Sequence, residues 1–271
     1  MNEAIRRHYS AEPMLADAIL SRLVAAGKDP SRLTIDDLAP IDEFHVRGRK
    51  ATLELADRME LDPQARVLDL GSGLGGSART LARVFGCRVV GIDLTPALCE
   101  AAATMSDWVG LAGKVTFEQA DATALDFEPR SFDAVMTIHA AMNIAAKDAM
   151  YAGAHRALKP GGIFAVYDIL QGEGGDVLYP VPWARDASIS HLATAALMRD
   201  LLRDAGFSIL DEIDSSDESL EWFERATQAA TRAAPLTFRA FLGPDHVQMA
   251  RNQVRNLAER RIRTISYICR K

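Results

Sequence analysis

The segment Val67-Leu-Asp-Leu-Gly-Ser-Gly-Leu-Gly-Gly76 constrains this chain more than any other feature. A short apolar run passes directly into four glycines within six residues. Glycine reaches positive φ without strain and leaves the backbone bare. Such a junction suits a strand that ends in a tight turn and hands over to a helix, and Ser77 to Phe85 supplies helical periodicity. In open α/β sheets, ligands bind in the crevice beyond the carboxyl ends of the strands. Four glycines exceed what the turn alone needs, so the loop is expected to lie against a ligand.

The alternation continues along the chain. Strands are expected at Arg88–Asp93, Lys114–Asp121, Phe132–Ile138 and Gly162–Asp168, with helices at Pro96–Leu111 and Lys147–Leu158 between them. Several of these strands are continuous apolar runs, which a parallel sheet covered on both faces requires. The fold class is therefore α/β, a doubly wound, mostly parallel sheet. The stretch 171–191 breaks the pattern with Gly172, Gly174, Gly175, Pro180 and Pro182. A helix from Thr194 to Asp204 and a strand from Phe207 to Glu212 follow. Glu218–Ala230 and Gly243–Arg260 read as helical, and Ile262–Cys269 alternates as a last strand. Ahead of the sheet, Glu12–Ala26 is an amphipathic helix and Thr34–Leu38 a capped short turn. A further helix is expected from Asp42 to Met59, before Asp62-Pro63 ends it.

Gly71, Gly73 and Gly76 match the dinucleotide-binding pattern, which is weak without its neighbours. Asp93 closes the second strand, where a carboxylate can accept both hydroxyls of an adenosine ribose; a nicotinamide cofactor requires the same. Asp121 closes the third strand and either meets an adenine edge or is a solvated strand-end carboxylate. Asp69 precedes the glycines, where it attracts an ammonium group and repels a pyrophosphate. That point favours an adenosyl-amino-acid over a dinucleotide.

Val67–Gly76, Gly91-Ile-Asp93, Gln119-Ala-Asp-Ala122 and Ala157-Leu-Lys-Pro-Gly-Gly162 resemble the successive motifs of class I S-adenosylmethionine-dependent methyltransferases. The resemblance covers residues 60–215 and implies a seven-stranded, Rossmann-like sheet whose last strand is antiparallel. It also implies a helical lid over residues 1–62, ahead of a cofactor domain spanning 63–271 with substrate caps at 171–191 and 217–260. The implied cofactor is S-adenosylmethionine, leaving as S-adenosylhomocysteine. Gly71, Ser72 and Gly73 would pack on its methionine and ribose portion, with Asp69 near the amino group. Asp93 would hold the ribose diol, Leu94 the adenine face, Asp121 the exocyclic amine and Ala122 the purine edge; His139 would lie by the sulfonium. Within the family, Asp42–Arg49 and Phe164–Asp168 resemble sarcosine/dimethylglycine N-methyltransferases and the ubiquinone/menaquinone-biosynthesis type.

Methyl transfer is an in-line displacement, so alignment and exclusion of water matter more than a catalytic triad. A base helps only a nucleophile that arrives protonated. His139, just past a buried strand, is the candidate base or else a capping histidine. Asn143 either orients a substrate group or caps the next turn. Tyr9 and His45 would belong to the lid and Tyr179 and Trp183 to the cap, as substrate contacts or as packing. An aromatic wall there would suit an amine that becomes cationic on methylation.

The 31 basic and 37 acidic residues give a net charge of −6, which argues against a nucleic-acid partner. The one basic cluster, Arg251–Arg263, reads as a solvated face. No apolar run reaches the ~18 residues that span a bilayer, and the first residues lack the apolar stretch of a signal peptide. Cys87, Cys99 and Cys269 are odd in number and widely spaced, as in a reducing compartment. His8, His155, His191 and His246 have no ligand spacing, so no metal is expected. A cytoplasmic enzyme acting on a small molecule is expected, with no membrane partner and a homodimer compatible with the sequence. Through the resemblance, an amine nitrogen is the first choice of acceptor, ahead of O- or C-methylation. An NAD-dependent oxidoreductase, a noncatalytic adenosine-binding scaffold and an aminopropyl-transferring relative are the competing readings. Tyr267 to Lys271 matches Tyr-x-x-x-Lys, but on a strand that spacing does not align the pair.

Overall fold

The computed structural model describes residues 2–8, 14–229 and 245–271. Four helices come first: α1 (Asn2–His8), α2 (Leu15–Ala25), α3 (Ile35–Asp42) and α4 (Gly48–Ala56). Then β1 (Arg66–Leu70), α5 (Gly76–Val84), β2 (Arg88–Asp93), α6 (Pro96–Trp108) and β3 (Val115–Gln119) form the first half of the sheet. The second half is β4 (Phe132–Ile138), α7 (Lys147–Ala157), β5 (Leu158–Gln171), α8 (Ala195–Asp204) and β6 (Ser208–Asp214). The helices α9 (Ser216–Ala229) and α10 (His246–Ala258) lead to β7 (Ile262–Arg270).

The seven strands lie in the order β3-β2-β1-β4-β5-β7-β6. The first five pair in parallel, and β7 runs antiparallel between β5 and β6. The expected doubly wound sheet and antiparallel last strand are present. Because successive side chains of a strand point to opposite faces, β1 divides its apolar residues between two cores. Val67 joins the core under α2 to α6, whereas Leu68 and Leu70 join the one under α7 and α8. A third apolar cluster gathers Val46, Met142, Ile169, Trp183 and Leu257, with half-buried Tyr179, Trp222 and Phe223 against it.

One expected helix is divided. The Thr34 turn grows into all of α3, opened by a capping box between Thr34 and Asp37. The helix expected from Asp42 begins only at Gly48, because Arg47 adopts a left-handed φ of 68° and Gly48 one of 52°. The break follows from burial of the two acids at the end of α3. Arg79 Nη2 donates to Asp42 at 2.7 Å, and Glu43 accepts from Arg49 at 2.7 Å, Thr52 at 2.7 Å and Thr80 at 2.6 Å. Helical periodicity carries no trace of such long-range partners.

Candidate functional site

The glycine loop folds against its neighbours through its own backbone. Gly71 and Ser72 both donate N–H groups to the Ile92 carbonyl at 2.9 Å, and Gly75 N–H donates to Ser72 O at 2.8 Å. Gly71 has φ of 81°, and a Cβ there would sit 2.4 Å from that of Ala140. The loop thus lies pressed between the ends of β2 and β4, with Gly71, Ser72 and Gly73 half-buried. A Cβ on Gly76 would lie 2.5 Å from the Asp42 carbonyl oxygen, so the start of α5 touches the end of α3 backbone to backbone.

Asp93 ends β2 and accepts from the N–H of Gly73 at 3.0 Å and of Thr95 at 2.9 Å. Burial raises its carboxyl, against the pull of those hydrogen bonds. Asp69 is 2% exposed. Burial, reinforced by the nearby charge of Asp93, pushes its carboxyl up to about 8. Among the described residues its Oδ2 has no hydrogen-bond partner, and neither does the Ser72 hydroxyl. Leu94 and Ala122 are half-buried at the same edge. Asp121 accepts from the N–H and hydroxyl of Thr123, at 2.9 and 2.7 Å.

His139 leaves β4 with φ of 50°. Its N–H donates to the Tyr167 carbonyl at 2.8 Å, which turns the imidazole toward the N-terminal helices. The ring lies 4.8 Å from that of Tyr167 and 6.0 Å from that of His45. Burial, then the neighbouring His45, holds His139 well below the ordinary histidine range, so it is neutral at pH 7. Among the described residues, His139 Nε2 and the Tyr167 hydroxyl are buried without hydrogen-bond partners. His45 donates from Nε2 to the Gly48 carbonyl at 3.0 Å and is itself lowered, chiefly by burial.

The other expected positions lie further out. Asn143 donates both amide hydrogens to the cap segment, to the carbonyls of Trp183 at 2.9 Å and Ile189 at 2.7 Å. Trp183 is 1% exposed within the third apolar cluster, and its Nε1 donates to the Ser190 hydroxyl at 3.0 Å. Tyr179 packs half-buried beside it. Tyr9 lies outside the described residues. Sequence reasoning missed Tyr167, whose only signal is a tyrosine inside an apolar strand just short of its carboxyl end. It also missed the acids that fix residues 42–48 against α5.

Together these groups form an edge with a bare loop, carboxylates at the ends of two strands and a neutral imidazole. Among the described residues no helix is long and apolar enough to cross a membrane. No group of three or more candidate metal ligands occurs among them either.

Residues 67–162 match a family described as a methyltransferase domain. A sterol 24-C-methyltransferase from Eremothecium gossypii is 32% identical over 177 residues, covering 62% of this chain and 48% of the relative. The chain spans about half the length of the curated relatives it matches. Among solved structures, a geranyl diphosphate C-methyltransferase from Streptomyces coelicolor, in complex with S-adenosyl-L-homocysteine, superposes with a TM-score of 0.71. It is 16% identical and covers 99% of this chain and 97% of that one. A phosphoethanolamine N-methyltransferase from Haemonchus contortus, in complex with S-adenosyl-L-methionine, gives a TM-score of 0.72 at 22% identity. That match covers 98% of this chain and 60% of its own. At these identities the two structures speak to the fold.

Proposed function

We propose that the chain, whose residues 67–162 match a methyltransferase domain, is of the class I S-adenosylmethionine-dependent kind and transfers a methyl group from S-adenosylmethionine to a small molecule. The observation that carries this reading is the buried Asp69 carboxyl group, whose Oδ2 has no hydrogen-bond partner among the described residues, beside the bare loop at Gly71–Gly73. A buried carboxylate without a partner is costly, and the cofactor's ammonium group supplies one. A dinucleotide would bring its pyrophosphate there and raise the cost. Asp93 would take the ribose diol, with Leu94, Asp121 and Ala122 around the adenine.

When bound, the cofactor supplies a methyl group on a cationic sulfur that leaves as a neutral thioether. The protein's part is alignment and dryness. The loop fixes the donor's position, the helices before β1 and the segment 171–191 cover it, and His139 is free to accept a proton at Nε2. The acceptor atom is an amine nitrogen in the first reading. A carbon is the second, favoured by the sterol 24-C-methyltransferase relatives.

Calorimetric titration with S-adenosylmethionine, S-adenosylhomocysteine and NADH tests the premise. Binding of both sulfur compounds and none of NADH is expected; the reverse pattern sinks the proposal. Carbon-13-methyl donor incubated with metabolite extracts would then identify the methylated atom from its chemical shift.

A further inference from the structure

Among the described residues, Asp69 Oδ2, His139 Nε2 and the Tyr167 hydroxyl belong to the buried polar groups that β1, β4 and β5 bring without partners to the carboxyl edge of the sheet. Asp69 is explained by the cofactor. The other two are not. Tyr167 is 1% exposed and its ring stacks at 38° on that of His139, 4.8 Å away. A phenol hydroxyl held this deep without a partner carries an uncompensated desolvation penalty. Phenylalanine would fill the same space at no such cost. His139 is pinned beside it by its own N–H bond to the Tyr167 carbonyl, in a left-handed conformation that side chains seldom adopt. A phenol hydroxyl and a ring nitrogen of a neutral imidazole, on rings 4.8 Å apart, are thus left next to the expected methyl donor.

We propose that Tyr167 is an acceptor-binding residue which, with His139, selects a nucleophile carrying a hydrogen on nitrogen or oxygen: an amine, a hydroxyl or an enol, rather than an isolated alkene. The inference rests on the methyltransferase reading. For a hydroxyl or enol, the Tyr167 hydroxyl donates to one oxygen lone pair. For a primary amine its oxygen instead accepts one N–H, so that the single nitrogen lone pair faces the methyl carbon. In each case His139 Nε2 accepts the remaining hydrogen on that atom. In the transfer step the nucleophilic atom forms the new bond to the methyl carbon. The methyl–sulfur bond breaks with its electron pair passing to sulfur, and the acceptor's proton goes to His139 and then to water. An enol routes the same proton from oxygen while its carbon takes the methyl group, so a C-methylated product is compatible with this pair. A plain alkene offers the hydroxyl and the imidazole nothing to bind.

Tyr167→Phe removes the hydroxyl and little else, and phenol and toluene form a probe pair of nearly equal size in which a methyl group replaces the hydroxyl. Both are titrated into the protein with S-adenosylhomocysteine present. Phenol is expected to bind more tightly than toluene, and Tyr167→Phe is expected to cut that preference about five- to tenfold, the worth of one hydrogen bond. The variant keeps its S-adenosylhomocysteine affinity and unfolds at the same or a higher temperature, because no partner is lost. Equal binding of the two probes, including no measurable binding of either, overturns the proposal. So does a preference undiminished in the variant, or a clear drop in its unfolding temperature. Failure of S-adenosylhomocysteine to bind the unaltered protein would instead strike the methyltransferase reading.

Discussion

At the scale of single residues, burial drives Asp69 and His139 toward the neutral state from opposite directions, and the two sites use this differently. Asp69 has its carboxyl raised to about 8, against about 3.9 in an unfolded chain. Between those values the folded protein holds a proton that the unfolded chain has released. Stability from this group therefore falls as pH climbs from about 4 to about 8, and it is level on either side. Asp69→Asn removes the titration. Denaturant unfolding at pH 5 and pH 8 should show a smaller loss in the variant than in the parent, by a few kcal/mol on the scale of 1.36 kcal/mol per pKa unit. Equal losses would show that Asp69 ionises normally. The slope that persists belongs in part to Asp168, raised by burial to about 7. The same substitution should weaken S-adenosylmethionine binding, because an amide is a poorer partner than a carboxylate for an ammonium group.

At the scale of elements, the site depends on the contact between α3 and α5. Gly76 permits it, and the Asp42–Arg79 ion pair at 2.7 Å, with side chains 2% and 1% exposed, holds it. Gly76→Ala places a methyl group 2.5 Å from the Asp42 carbonyl oxygen. Overpacking of this kind costs typically 1–3 kcal/mol, and the glycine loop moves with its helix. A lower unfolding temperature together with weaker S-adenosylhomocysteine binding is expected; an unchanged protein would show that the connection yields freely. This contact also marks where sequence reading stopped. Strands such as β2 and β4 were legible to the residue, because an apolar run bounded by polar residues reports its own burial. The loop and its following carboxylates were legible because bare backbone and charge at strand ends are local signals. The turn at residues 43–47 was not, since Glu43 meets Thr80 far along the chain. Tyr167 was invisible for the same reason: its significance lies in what does not touch it.

At the scale of the molecule, every group assigned to the cofactor sits where β1, β2, β3 and β4 end, and the covering segments come from both sides in sequence. The N-terminal helices reach the site through residues 42–48, and the segment 171–191 is tied down by Asn143. If these act as lid and cap, S-adenosylhomocysteine should slow amide hydrogen exchange in the glycine loop, in residues 42–48 and in 181–189. Exchange in β6 and α8 should stay as it was. Protection confined to the loop would leave the outer segments without a covering role.

The seat of β7 has a consequence for how the chain is made. Every strand whose end is proposed to meet the cofactor has emerged from the ribosome once Gln171 has, with its neighbours already synthesised. β6 has none: among the described residues it pairs with β7 alone, which is translated after it and after α9 and α10. A nascent chain can therefore complete the ligand-binding edge while β5 and β6 still expose open hydrogen-bonding edges. A cofactor that meets the chain during synthesis would find its binding edge assembled before the sheet is closed.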